Sequence, residues 1–158
     1  NADLHAYPTR GDPDVVIHTR KDPGKHVSQV GIIVARGAAV SFTGKQCSAW
    51  AGGKVGMNFA AQGNILAGPE VIEAMAKAFE ETEGLLSHRL LTALEAGQTA
   101  GGDKRGRQSA ALLIVRKGWG YARLNDRFRD VRVDDHATPI TELKLSAPIA
   151  TIAQTIIR

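Results

Sequence analysis

The sequence is poor in the residues that mark several common classes of protein. It has a single cysteine, Cys47, so no disulfide can form within the chain, and we predict a reducing, cytoplasmic location. Aromatic residues make up only 5% of the chain, too few for the stacking platform of a protein that binds single-stranded nucleic acid. No apolar run approaches the ~20 residues of a membrane span. We therefore predict neither a nucleic-acid nor a membrane partner.

Motifs for cofactors and metals are also missing. The chain has no phosphate-binding loop of the nucleotide hydrolases, no dinucleotide-binding glycine motif, no zinc-ligand spacing and no serine-nucleophile elbow. Asp134, Asp135 and His136 supply two carboxylates and an imidazole, but adjacent residues rarely converge on one ion. We therefore predict no cofactor and no metal site.

The length and composition are those of one globular domain. The chain has 158 residues, of which 43% are hydrophobic and 17 are glycines, with a mild net charge of +4. Residues 1–25 are interrupted repeatedly by proline and glycine and are predicted to be irregular. Residues 146–158 are predicted to form an apolar C-terminal tail or helix. We predict that residues 1–158 form a single domain, and the apolar tail favours a homo-oligomer.

Hydrophobic periodicity predicts an α+β fold with the order β-β-β-α-α-β-β-α. The predicted strands are Gln29–Ala35, Ala38–Thr43, Gly56–Leu66, Ala110–Arg116 and Phe128–Val133, and the predicted helices are Pro69–Thr82, Leu85–Ala96 and a last one from Pro139 to Pro148. The first two strands are expected to form a hairpin. Residues 47–53 are predicted to be a loop, and Gly97 is predicted to cap the second helix.

A glycine-rich basic turn is the most distinctive stretch of the chain. Gly101–Ser109 carries three cations and leads without interruption into an apolar strand. Glycine lets the backbone approach a ligand closely, and a cationic turn of this kind can form a concavity that binds anions. A solvated surface turn before a buried strand would have the same composition, so both interpretations stay open.

Two polar residues outside the basic turn are candidates for chemistry. Asn64 follows a strand and precedes the helix that opens at Pro69, where an amide can donate to a developing oxyanion or cap the turn by bonding nearby backbone. Cys47 has no histidine in a recognisable motif beside it, so a buried thiol is favoured over a nucleophile.

Several stretches together resemble the domain-of-unknown-function family 1028. They are Phe42-Thr43-Gly44 with Cys47 and Trp50-Ala51-Gly52, Gln62-Gly63-Asn64-Ile65-Leu66-Ala67-Gly68-Pro69-Glu70-Val71, Ala100 to Leu112, and the ending Val133-Asp134-Asp135-His136. The resemblance covers about residues 26–145. Because several long strings recur in order, we identify the chain as similar to this family.

The resemblance implies an N-terminal-nucleophile (Ntn) hydrolase-like fold, a four-layer αββα sandwich with two sheets face to face. In Ntn hydrolases the first residue attacks an amide carbonyl, with its own α-amine as the base. Members of family 1028 begin with a further segment of paired strands, where the nucleophile would lie, and we expect this chain to be a partial sandwich that lacks it. Asn1 has no hydroxyl or thiol, so the nucleophile is not assigned.

Two functions are therefore expected from the sequence. One is a hydrolase-like protein that acts on a small amide or peptide-like compound, with Asn64 supporting the oxyanion. The other is a non-catalytic module that binds an anion or acidic metabolite. In both, the substrate-binding candidates are on the basic turn: Asp103, Arg105, Arg107 and Gln108. Arginine is the favoured residue for a carboxylate because its guanidinium can bind both oxygens.

Overall fold

The computed structural model describes residues 5–6 and 22–146, which form an α+β structure of small antiparallel sheets and helices. The strands are β1 His5–Ala6, β2 Gln29–Ile33, β3 Ala39–Thr43, β4 Gly52–Gly56, β5 Phe59–Gly63, β6 Ala110–Val115 and β7 Arg127–Val133. The α-helices are α1 Pro69–Glu81, α2 Leu86–Thr99 and α3, residues 139–146, and short 3-10 helices span Lys25–Val27 and Tyr121–Arg123.

The first sheet is three-stranded, in the order β1-β3-β2. The predicted hairpin is confirmed and consists of β2 and β3, with Gln29 opposite Thr43 and Ile33 opposite Ala39. β2 ends at Ile33 because the next residues form the connecting turn, in which Gly37 takes a φ of +86°. Apart from the short strand β1, residues 1–21 lie outside the described residues, as does the tail after residue 146.

The second sheet is a hairpin of β4 and β5 that packs face to face on the first sheet. The loop predicted over residues 47–53 ends earlier, because Gly52–Gly56 is a strand of its own, and the strand predicted over Gly56–Leu66 is confined to Phe59–Gly63. Gly53 lies against Ser41 and Gly31 lies against Gln62, so neither position has room for a Cβ. The two glycines therefore allow the sheets to approach closely.

The helix α1 lies on the outer face of the β4–β5 hairpin, and α2 packs against α1. α1 matches the predicted helix, with Pro69 at its start and an apolar stripe that packs on the sheet. The stripe and its partners include Phe59, Ala61, Val71, Ile72, Ala76 and Phe79. The layers therefore follow in the order first sheet, second sheet and helix, and this core lies between the second sheet and the helices.

The helix α2 continues past its predicted end at Ala96. Gly97 lies inside the helix, which ends at Thr99, and it is buried against Met75 of α1, where a Cβ would collide. The prediction that Gly97 caps the helix was wrong for this reason. Leu86, the first residue of α2, is 49% exposed, whereas Leu91 is buried.

The third sheet is a hairpin of β6 and β7, which packs on α2 and α3. Leu112 and Ile114 are buried against Leu91 and Leu143, and Leu143 is fully buried. The opposite face of this hairpin leaves Leu113 and Val115 more than half exposed. Among the described residues, no helix is both long and apolar enough to cross a membrane.

Candidate functional site

A cavity of about 840 Å³ lies between β5, the helix pair, the basic turn and β6. This volume is within the range of small-molecule sites, roughly 300–1,000 Å³. Its apolar wall comes from Leu66, Val71, Met75, Leu94, Ala110, Ala111, Pro139 and Ile140. Its polar wall comes from Gln62, Gln98, Asp103, Arg105, Arg107, Gln108, Ser109 and Asp135. All four predicted substrate-binding residues of the basic turn therefore line one cavity.

Backbone hydrogen bonds attach the first half of the basic turn to the segment that follows β5. The Ala67 N–H donates to the Gly102 carbonyl at 2.9 Å, and the Lys104 N–H donates to the Ile65 carbonyl at 2.9 Å. Leu66 and Asp103 form an isolated β-bridge between these two bonds. Glycine is required at Gly101, because its φ of +125° is unfavourable for other residues and a Cβ would collide with Ala67.

Asp103 and Arg105 bind each other. The Arg105 guanidinium donates to both Asp103 carboxylate oxygens, at 2.9 Å from Nε and 2.6 Å from Nη2, and its backbone N–H donates to the same carboxylate at 2.8 Å. These hydrogen bonds from Arg105 lower the pKa of Asp103 to about 2 and raise the pKa of Arg105. The pair is therefore neutral overall, and it shapes the turn more than it offers charge to a ligand.

Arg107 and Gln108 belong to the open second half of the turn. Among the described residues, the Arg107 side chain has no hydrogen bond or ion pair. The His136 N–H donates to the Gln108 carbonyl at 2.9 Å, which ties the segment after β7 to the turn. This bond brings Asp135 into the cavity wall, and Asp135 also has no side-chain partner among the described residues.

Residues 134–136 were considered as metal ligands, and their side chains do not converge on one position. Asp134 pairs with Arg132 at 3.1 Å, and the His136 Nδ1 accepts the Thr138 N–H at 3.0 Å. Asp135 alone lines the cavity. Across the part of the chain that the structure describes, no group of three His, Cys, Asp or Glu side chains is arranged to hold a metal ion.

Asn64 lies beside the cavity and does not line it. Its neighbours Gln62 and Leu66 form part of the wall, and the next residue, Ile65, takes a φ of +61° that is rare for a β-branched side chain. The Asn64 Oδ1 is buried without a hydrogen-bond partner in the described chain. The structure therefore does not bring Asn64 together with the four residues of the basic turn.

Among the nucleophilic side chains, Ser109 lines the cavity and Cys47 does not. Cys47 is half-buried, and its Sγ lies 3.6 Å from the Ser28 carbonyl oxygen. Asp135 and the two glutamines at 62 and 98 were not predicted as site residues from the sequence. Asp135 carried the only usable signal, since it follows a strand that pairs with the one leaving the basic turn.

Comparisons with known proteins agree with this fold. The model of a family of unknown function, DUF1028, matches residues 13–143. The crystal structure of protein SPO2555 from Silicibacter pomeroyi, described with the same family model, is similar at 30% sequence identity and a TM-score of 0.76. That similarity covers 88% of this chain and 57% of the Silicibacter chain, so the present chain spans a little over half of that protein. No curated protein matches.

Proposed function

The chain belongs to the DUF1028 family, whose function is unknown, so its role is argued from its own cavity, and we propose that it binds a small acidic or amide-containing compound there. The observation that carries the proposal is the position of the Arg107 guanidinium, which has no partner among the described residues, in the wall of a cavity of about 840 Å³. A guanidinium binds carboxylate oxygens through two parallel hydrogen bonds.

The remaining polar wall suits the same class of compound. Gln98 and Gln108 present amides that can both donate to and accept from an amide group of the ligand. The apolar wall, with Leu66, Met75 and Leu94, can cover a hydrocarbon portion. A small compound with one carboxylate and one amide fits these walls better than an inorganic anion.

Calorimetric titration with N-acetylglutamine, which carries a carboxylate and two amides, tests the proposal. We expect binding that Arg107→Gln weakens by about tenfold, since a charge-assisted hydrogen bond is lost. Lys117→Gln removes an exposed cation from the turn after β6, which is not part of the cavity wall, and serves as the matched control. Equal weakening by both variants would show that only the overall charge of the protein matters and would contradict the proposal.

Hydrolysis of the bound amide is the second candidate function. The family resemblance favours it, as does the succession of sheet, sheet and helix layers, which is compatible with an αββα Ntn-hydrolase-like sandwich. The proposal assigns the oxyanion donor to the side-chain N–H of Asn64, which lies next to the wall residue Gln62 along the chain beyond Gly63 but does not itself line the cavity. The attacking group in this proposal comes from outside the described residues.

Measurement of ammonia or amine release from a set of small amides tests the second candidate. Loss of an oxyanion donor costs on the order of 10²-fold or more in rate, so Asn64→Ala should reduce turnover by that factor. Release at an unchanged rate in Asn64→Ala would remove Asn64 from the mechanism.

A cytoplasmic location and homo-oligomeric assembly are part of the same proposal and rest on the single cysteine and the apolar C-terminal segment.

A further inference from the structure

The charged groups of the cavity wall fall into a paired set and an unpaired set. Asp103 and Arg105 neutralise each other through two side-chain hydrogen bonds. Arg107 and Asp135 have no side-chain partner among the described residues, although both line the cavity. The cavity wall therefore presents one cation, Arg107, and one anion, Asp135, that are not paired with another described side chain.

A backbone hydrogen bond keeps these two groups on neighbouring segments. The His136 N–H donates to the Gln108 carbonyl at 2.9 Å, so the residue after Arg107 is bonded to the residue after Asp135. The β6–β7 register supports this junction, since Ala110 lies opposite Val133. The two charges stand on adjoining parts of the wall, yet they form no ion pair of 4.0 Å or less with each other.

We propose that the cavity takes a small zwitterion, an amino acid or short peptide with a free ammonium and a free carboxylate, which Asp135 and Arg107 bind respectively. The inference rests on the proposed function, since it names the ligand class of the same cavity. The Arg107 guanidinium receives the carboxylate, and the Asp135 carboxylate, which can only accept hydrogen bonds when ionised, receives the ammonium.

The other walls determine how such a ligand lies. The amides of Gln98 and Gln108 match the donors and acceptors of a peptide bond, and Met75 and Leu94 offer apolar contact to a side chain. The opposite charges also explain selectivity. A simple carboxylic acid would bind Arg107 but leave Asp135 without a cation, whereas a zwitterion satisfies both groups at once.

Calorimetric titration of the unmodified protein with alanylglutamine and its two capped forms tests the inference. The N-acetylated form lacks the ammonium, and the C-terminal amide form lacks the carboxylate. We expect each cap to weaken binding by about tenfold, since each removes one charge-assisted contact. Asp135→Asn should remove the discrimination against the acetyl cap alone, and Arg107→Gln should remove the discrimination against the amide cap alone.

Glu83→Gln and Lys117→Gln, both outside the cavity wall, are the matched controls and should keep both discriminations. Circular dichroism of each variant confirms that it is folded. If the acetylated dipeptide binds as tightly as the free one, the zwitterion inference is overturned while binding of an acidic compound stands. If no form of the dipeptide and no N-acetylglutamine binds, the proposed function is overturned with it.

Discussion

The two halves of the basic turn differ in how they are held, although their composition is similar. The first half, residues 101–105, is bonded to the segment after β5 through Gly102 and Lys104. Its Asp103 and Arg105 pair with each other, and the Lys104 ammonium donates to the Ala49 carbonyl at 3.2 Å. The second half, residues 106–109, is exposed and presents Arg107 to the cavity. One half therefore fixes the position of the turn, and the other offers groups to a ligand.

This difference separates structural charge from available charge. Arg105 and Arg107 are two residues apart, and both line the cavity. The Arg105 guanidinium is already bonded to the Asp103 carboxylate, whereas Arg107 has no partner among the described residues. The number of cations in the turn therefore overestimates the positive charge that is available to a ligand.

Substitution of two of the three turn glycines that have a positive φ gives the largest expected effect. Gly101→Ala should lower the free energy of unfolding by about 3 kcal/mol, because strain at positive φ adds to a clash with Ala67, whose Cβ would lie 2.7 Å away. Gly106→Ala should cost about 1 kcal/mol, since its φ of +103° is strained but no atom lies within 4 Å. Urea unfolding measures both, and equal losses would contradict an anchored first half.

Removal of the charges in each half gives the next largest effect. Arg107→Gln should weaken N-acetylglutamine binding by about tenfold. The double variant Asp103→Asn with Arg105→Gln removes a neutral pair and should change the affinity by less than about twofold. Calorimetric titration compares them, and a tenfold loss in the double variant would show that the first half also contacts the ligand.

Acid provides the smallest effect, confined to the first half. The pKa of Asp103 is lowered to about 2 in the folded protein, below the ~3.9 of an unfolded aspartate, so its ion pair stabilises the fold at higher pH and is lost as the pH falls through about 2. Between pH 4 and 2, the wild type should lose slightly more stability than the Asp103→Asn, Arg105→Gln double variant. Urea unfolding at each pH measures the difference, and parallel losses would exclude the pair as a source of stability.

Local periodicity was enough to predict most helices and strands, and contact between distant segments explains where it was insufficient. Gly52 and Gly53 are typical of a loop when only their neighbours are considered, yet they belong to β4 because they pair with β5. Trp50 and Ser41 leave no room for a Cβ at these two positions, which explains the glycines. Gly97 is typical of a helix end, yet it lies inside α2 because Met75 packs against it.

The same limit applies to the site. The turn was predictable from its glycines and cations, and all four of its predicted residues line the cavity. The pairing of Asp103 with Arg105 depends on how the turn folds, which composition does not determine. Asp135 reaches the cavity only because β7 pairs with β6 in a register that the sequence pattern does not determine.

The hydrogen bond from the His136 N–H to the Gln108 carbonyl makes one backbone amide a natural reporter of the cavity. That amide can exchange its hydrogen with solvent only when the two adjoining segments separate, so its exchange rate measures the free energy of that local opening. A ligand held by groups on both segments would slow this single exchange event, whereas a ligand held by the turn alone would leave it unchanged. Deuterium uptake at residue 136 thus distinguishes one-sided from two-sided binding in the unlabelled, unmodified protein.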